Sequence, residues 1–297
     1  MERHAFRSMG TIVEVLLPAG QADEVARIRQ HFLAWEQACS RFDAGSDLSR
    51  LNRGDGQLLA VGPYLFSALA VAVRAAGATD GLFDPTLLRS LEALGYDRDF
   101  EAVLAGQSNP PVSPLPRTGG WRELELSHDR QEARLPSGVG VDLGGLVKGM
   151  AVDAAVADLT SRSISPIAVD AGGDLAVAGL PPQAGGWTIA IEGPDHPRVI
   201  SLAEGALATS SVTRRRWRQG GVDRHHLIDP RTGLPSTIPL LSASVAAPTC
   251  TQAEVAAKVA FLLGPEEGST FLAERRLSGL FLAPDGGERL AGRWATA

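Results

Sequence analysis

The sequence predicts an α+β fold, with mixed sheets flanked by helices. Short β-like runs and helical runs follow one another without the regular strand–helix alternation of a doubly wound protein. Most of these runs end at Gly or Pro turns, the usual punctuation of compact domains. Hydrophobic residues make up 44% of the 297 residues and charged residues 21%, enough apolar material for a core.

The elements follow in order along the chain. Residues 9–17 read as a strand, closed by Pro18 and Gly20. Residues 22–42 carry Val25, Ile28, Phe32 and Trp35 at helical spacing. A polar loop leads to a second helix over 63–76. Near residue 84 a third helix is expected, with Asp84 as N-cap, Pro85 at its first position and Gly95 closing it. Residues 107–120, rich in Pro, Ser and Gly, form a surface excursion. After a hairpin, residues 141–159 read as strand, Gly turn and helix. Residues 166–178 read as strand, Gly-Gly turn, strand. Short strands are expected at 187–191, 199–202 and 241–246, and 227–233 is a short strand running into a turn. A helix over 252–263 ends at Gly264-Pro265, and 279–282 is the last strand. No fixed-period repeat and no linker stand out, so the expectation is one domain over residues 1–297.

Composition removes several classes of function. The net charge of −6 and the pI near 5.6 exclude a general nucleic-acid binder. No apolar run reaches the roughly 18 residues of a membrane span, so no membrane partner is expected. Residues 1–15 show no export signal, and the expected location is cytoplasmic. Cys39 and Cys250 are too few for a disulfide framework and read as buried thiols. Of 28 basic residues only Lys148 and Lys258 are lysines, a hint that an ammonium is needed where they stand.

Five segments could carry chemistry. Asp142-Leu143-Gly144-Gly145-Leu146-Val147-Lys148 places a Gly turn before a helix, with Lys148 about one turn in. Such a turn lets backbone N–H groups approach a phosphate, or it is simply a tight turn beside a solvated lysine. Gly172-Gly173-Asp174 is a second turn of the same kind, or a plain hairpin. His225-His226 precedes Asp229-Pro230-Arg231-Thr232-Gly233; a histidine suits proton transfer near neutral pH, and only one of an adjacent strand pair can face a given side. The basic run 214–218 reads as a solvated strand edge. Thr251 with Glu254 forms a capping box, and Glu254 with Lys258 a well-oriented i,i+4 pair.

Taken together, these segments resemble the ApbE family of flavin transferases. Met9-Gly10-Thr11 resembles the family's MGT start, and residues 40–52 its S-x-[YF]…S-x-L-S-x-x-N segment. Residues 79–86 resemble T-x-G-x-F-D-P-T, residues 142–153 DLGGIAKGYAVD, and residues 171–174 the GGD turn. Ala208-Thr209-Ser210-Ser211 stands where the family has A-T-S-G, and residues 226–233 resemble HIIDPxTG. The resemblance implies an α+β fold of two lobes with a central flavin-binding cleft. It implies an FAD:protein FMN transferase, a magnesium-assisted enzyme. Such an enzyme cuts FAD, moves FMN onto a Thr or Ser of a partner flavoprotein and releases AMP. Flavin contacts then fall on Met9, Phe42, Leu82, Phe83, Asp84, Gly144, Met150 and Ile228. Lys148 and the two Gly turns, the second being Gly172-Gly173-Asp174, surround the diphosphate, Thr209 also contacts FAD, and His226 is the base, with His225 facing away.

The chain departs from that pattern where the metal belongs. The resemblance implies magnesium held by Asp and Thr, four apart, and by a backbone carbonyl that here is Val147's. Glu254 and Lys258 occupy the two side-chain places. An ammonium has no lone pair to offer a metal, so Val147 and Glu254 are all that remain of the expected site. Two further readings therefore stand beside transfer: hydrolysis of FAD to FMN and AMP, and FAD binding without catalysis.

Overall fold

The computed structural model describes residues 1–106, 116–181 and 185–294. Residues 107–115 of the expected surface excursion lie outside them. The chain begins with β1 (Glu2–Ser8), β2 (Thr11–Leu17), α1 (Asp23–Cys39), α2 (Asp47–Asn52), β3 (Leu58–Ala60), α3 (Pro63–Ala78), α4 (Leu88–Ala93) and α5 (Phe100–Ala105). Next come β4 (Glu125–Ser127), β5 (Glu132–Arg134), α6 (Val147–Ser161), β6 (Ile167–Ala171), β7 (Leu175–Ala178), β8 (Trp187–Ile191), β9 (Arg198–Leu202) and β10 (Gly205–Ser211). The chain closes with β11 (Arg216–Gln219), β12 (Val222–His225), β13 (Ile228–Asp229), β14 (Leu234–Pro235), β15 (Ser242–Ala247), α7 (Cys250–Glu274), β16 (Ser278–Leu282) and β17 (Glu288–Ala291). The α+β class expected from sequence is what forms.

The elements gather into two compact units. The first comprises Met1–Glu36, Gly145–Ser211 and Ile238–Ala297; the second comprises Gln37–Gly144 and Val212–Thr237.

The first unit is built on an eight-stranded sheet in the order β1-β2-β6-β7-β10-β15-β16-β17. All seven of its pairings are antiparallel. Alternation along each strand explains why both faces are covered. Leu175, Val177, Leu207, Leu280 and Leu282 point to one side, where they meet Trp187, Ile191 and Ile200 of the β8–β9 hairpin. The intervening Phe281 is buried as well, against α7 beside Gly268. Helix α6 packs on β6 and β7, α7 packs on β10 and β15, and the two helices pack on each other. That helix pair sets up the charged junction described below.

The second unit is mostly helices and short ribbons. Leu87, Leu91, Leu94, Tyr96, Val103, Trp217 and Ile228 form a core of its own. The Trp217 indole donates to the Leu94 carbonyl at 2.7 Å, closing the end of α4.

Several expectations are corrected. Asp84 is not the cap of α4, which starts at Leu88 after Leu87. The Asp84 carboxylate instead accepts from the N–H of Thr86, two residues on, at 2.7 Å. That Asx turn holds the chain out of the helix. Gly95 does follow the helix end, with φ 89°. The strand expected before the 144–145 turn is reduced to a bridge between Gly140 and Leu87. Helix α7 begins at Cys250, and Gly264 (φ 81°, ψ 178°) breaks it where expected, but Pro265 opens a second helical stretch. One more strand, β17, follows β16.

Candidate functional site

In the first unit, the approach of α6 to α7 is set by a glycine. A Cβ on Gly149 would lie 2.9 Å from the Cys250 carbonyl and from Glu254 Oε2, so only Gly allows this spacing. Across that contact the helices cap each other. Glu254 Oε2 accepts from the Gly149 N–H at 2.8 Å, in the first turn of α6. Asp153 of α6 accepts from Cys250 N at 2.7 Å, Thr251 N at 2.9 Å and Thr251 Oγ1 at 2.6 Å, in the first turn of α7. Each carboxylate thus sits at the positive end of the other's helix.

The capping box expected within α7 is therefore not what forms. Thr249, not Thr251, is its N-cap, accepting from Gln252 N at 3.2 Å. Glu254 serves α6 instead, because its side chain is buried on the α6 side.

Lys148 stands in the same first turn of α6 and binds two acids. Its Nζ donates to Glu254 Oε1 at 2.8 Å and to Asp174 Oδ2, with side-chain exposures of 16% for the lysine and 6% for each acid. Burial works against the ammonium, but the two carboxylates more than offset it and hold the Lys148 pKa above its ordinary value. Burial pushes the Glu254 carboxyl up to about 7, against the pull of Lys148 and the Gly149 N–H. The neighbouring Asp174 carboxylate adds to the rise of Glu254.

Asp174 reaches this pair through the Gly-Gly turn between β6 and β7. The Gly173 N–H donates to Asp170 Oδ1 at 2.7 Å, and Gly172 takes φ 72° where any side chain would strike the Thr11 hydroxyl. On β10, Thr209 shares a 2.7 Å hydroxyl contact with Ser244 of β15. Met9 occupies the β1–β2 turn with φ 51°, and Met150 is buried in α6, its N–H bonded to the Leu146 carbonyl at 3.1 Å. Val147 is buried at the start of α6.

In the second unit, Phe42 is exposed and lies under the Arg41 guanidinium, 4.2 Å from its ring centroid. Arg41 also covers Tyr96 at 4.4 Å and pairs with Asp142 at 2.5 Å. Its Nη2 is buried and finds no hydrogen-bond partner among the described residues. Asp142 Oδ1 accepts from the Gly144 N–H at 2.8 Å, which shapes the turn before α6. Leu82 is partly exposed, whereas Phe83, Asp84 and Ile228 are buried. Asp84 Oδ2 accepts from the Gly119 N–H at 2.8 Å, and the Asp142 N–H donates to the Pro85 carbonyl at 2.8 Å. The Asp84 loop and the 142–144 turn are thus bonded together.

The two histidines differ in their surroundings. His225 is bracketed: its Nε2 lies 3.0 Å from the Ser236 carbonyl, and its Nδ1 accepts from the Leu227 N–H at 3.3 Å. These contacts require the neutral ring with the proton on Nε2. His226 follows β12, is partly exposed, and its carbonyl accepts from the Ile228 N–H at 3.1 Å.

Sequence reasoning missed Asp153 and Arg41. Asp153 closes the 142–153 segment that resembles DLGGIAKGYAVD, one turn beyond Gly149 on α6, but the motif gave it no role. Arg41 sits inside the 40–52 segment but had no spacing to mark it.

This donor set bears on the magnesium that the family resemblance implies. Both Glu254 oxygens already accept hydrogen bonds, one of them from an ammonium. Lys258 supplies a cation where a neutral oxygen would be required. Among the described residues no group of three or more His, Cys, Asp or Glu could hold a metal ion. The residues present do not fit the ion.

Solved structures share this fold. The ApbE protein of Thermotoga maritima MSB8 has the same fold with a TM-score of 0.86, covering 98% of this chain and 96% of its own at 24% identity. Flavin transferase ApbE from Vibrio cholerae gives a TM-score of 0.80, covering 99% of this chain and 96% of its own at 23% identity. In sequence, the ApbE family profile matches residues 9–281, and the chain belongs to the ApbE family. The FAD:protein FMN transferase of Chlamydia muridarum (strain MoPn / Nigg) is 31% identical over 244 residues, 79% of this chain and 73% of that protein. The enzyme of the same name from Escherichia coli K12 is 24% identical over 295 residues, 94% of this chain and 83% of that protein. Among the described residues no helix is long and apolar enough to cross a membrane.

Proposed function

We propose that this chain is an FAD:protein FMN transferase. The observation that carries the reading is the family match over residues 9–281, joined to relatives of that name. In the proposed reaction, a Thr or Ser hydroxyl oxygen of an acceptor flavoprotein attacks the FMN phosphorus of FAD. The bond from that phosphorus to the oxygen bridging to AMP breaks. AMP leaves with the electron pair, and the hydroxyl proton passes to His226.

Met9, Phe42, Leu82, Phe83, Asp84, Gly144, Met150 and Ile228 are proposed to hold the flavin. Because Phe83, Asp84 and Ile228 are buried, their share falls mainly to the backbone. Lys148, Gly172, Gly173 and Thr209 serve the diphosphate. Asp174 acts through Lys148, whose ammonium has three donors and spends two on acids. His226 is favoured as base over His225, whose two ring nitrogens are engaged by Ser236 and Leu227. No step is assigned to magnesium or to the Val147–Glu254 pair. The proposal treats residues 1–297 as one functional domain working in the cytoplasm.

The test is incubation of purified protein with FAD and an acceptor flavoprotein. Released AMP and an acceptor heavier by one FMN support transfer. The His226→Ala variant should still bind FAD and lose turnover by roughly 10²–10⁴-fold, the usual share of a positioned base. AMP with free FMN and an unmodified acceptor, or FAD returned intact, overturns the proposal.

A further inference from the structure

We infer that this chain offsets the charge of the FAD diphosphate with lysine ammonium groups in place of a divalent cation, to which the α6–α7 junction is closed. The inference rests on the function proposed above, and three observations carry it.

The first is the commitment of Glu254. Its carboxylate is buried, one oxygen taken by the Lys148 ammonium and the other by the first turn of α6. A small octahedral cation needs oxygen ligands at about 2.0–2.1 Å and tolerates little distortion. To bind Glu254 it would have to displace an ammonium and uncap a helix. The absent Cβ at Gly149 lets Glu254 Oε2 sit against the backbone there, held by the Gly149 N–H at 2.8 Å.

The second is the place of Lys258. It follows Glu254 by one turn on the same face of α7. Its Nζ lies 3.2 Å, and its Cδ 3.5 Å, from where a Cβ on Gly145 would stand. Gly145 belongs to the turn that leads into α6, three residues before Lys148. The ammonium is thus delivered to the turn expected to approach the diphosphate, and a second cation there would be repelled.

The third is lysine usage. The chain has 28 basic residues and writes all but Lys148 and Lys258 as arginine. Both lysines stand at this one junction. A compact point charge with three donors can follow charge that develops on phosphate oxygens, whereas a planar guanidinium demands a bidentate partner. The ammonium groups take no part in bond making. They offset negative charge on the oxygens of the breaking diphosphate, the role a metal would otherwise fill.

Two measurements on the intact protein test this. Free Mn²⁺ is followed by electron paramagnetic resonance as it is titrated into the protein, with and without FAD. FAD binding is followed by flavin fluorescence in EDTA and again in magnesium chloride. The expected results are no saturable Mn²⁺ uptake and FAD affinities that agree within about twofold. Lys258→Met should weaken FAD binding about tenfold in EDTA, with magnesium giving no rescue and Lys258→Arg a partial one. Glu254→Asp combined with Lys258→Thr should create Mn²⁺ uptake. Saturable Mn²⁺ binding by the unaltered protein overturns the inference. So does FAD binding that EDTA abolishes and magnesium restores, and that outcome leaves the proposed transferase standing. A protein that binds FAD in neither buffer overturns the function proposal, and its Mn²⁺ titration still decides whether the junction is closed to metal.

Discussion

The α6–α7 junction of the first unit and the His225 turn of the second respond to acid in opposite senses. At the junction one ammonium faces two buried carboxylates, and burial lifts the Glu254 carboxyl to about 7. A carboxyl whose folded pKa is raised contributes stability that is complete below its unfolded value and is lost as pH rises through the folded one. At the turn, burial lowers the His225 pKa, with Arg216 adding to it and the bond to the Ser236 carbonyl opposing it. A histidine shifted that way contributes stability above its unfolded value of 6.5, lost as pH falls through its folded pKa. Mild acid therefore strengthens one site and weakens the other. Burial penalises the charged form in both, and the sign differs because the charged form is the base of one group and the acid of the other.

The largest expected effect comes from removing the cation at the junction. Lys148→Met leaves Asp174 and Glu254 buried without their shared partner. The cost of breaking a buried pair in this way is about 3–5 kcal/mol, measured as a lowered denaturant midpoint at neutral pH. The loss should shrink in acid, where protonated carboxyls need no counter-charge. A variant as stable as the parent at pH 8 would mean that the three side chains do not interact as described.

The junction was legible in part from the sequence, and the reason it was not wholly legible is physical. Val13, Val15 and Leu17 alternate inward along β2, and Pro63 stands at the first position of α3. Such features are local, and a period or a turn residue reveals them. Glu254 is different. Its spacing from Thr251 satisfies a local capping rule, yet its partner Gly149 lies 105 residues away. Two helices packed side by side offered a nearer N-terminus than its own, and no spacing encodes that. Asp84 failed in the other direction, because a shorter-range Asx turn outcompeted the helix cap expected of it. The family motifs brought Lys148 and Asp174 forward only as separate segments, while the bond between them and those of Arg41 and Asp153 depend on the fold.

A smaller effect separates charge from shape at the junction. Glu254→Gln keeps the volume and an oxygen for the Gly149 N–H but cannot titrate. Stability measured by denaturant from pH 5 to 8 should fall with rising pH in the parent through this group, and that component should vanish in the variant. An unchanged pH profile would show that Glu254 is not the carboxyl that titrates near neutrality, and the contrast with the second unit would fail on that side.

The smallest expected effect lies at His225. The ring is half-buried, with its Nε2–H aimed at the Ser236 carbonyl and its Nδ1 receiving the Leu227 N–H. A proton added to Nδ1 would face that N–H, donor against donor, and the bond joining the end of β12 to the start of β13 would be lost. The charged ring must therefore leave its place, which is why stability drops as pH falls below about 6.5. His225→Asn can offer one acceptor and one donor but no titration. It should cost about 1 kcal/mol at pH 7.5, the worth of an imperfectly replaced hydrogen bond, and less at pH 5. The pH dependence of the denaturant midpoint in that variant should then be governed by the junction, with stability rising toward acid more steeply than in the parent. If the parent and His225→Asn instead show parallel profiles from pH 5 to 8, His225 is not held neutral by its two backbone partners. Acid sensitivity would then have to be sought elsewhere in the second unit.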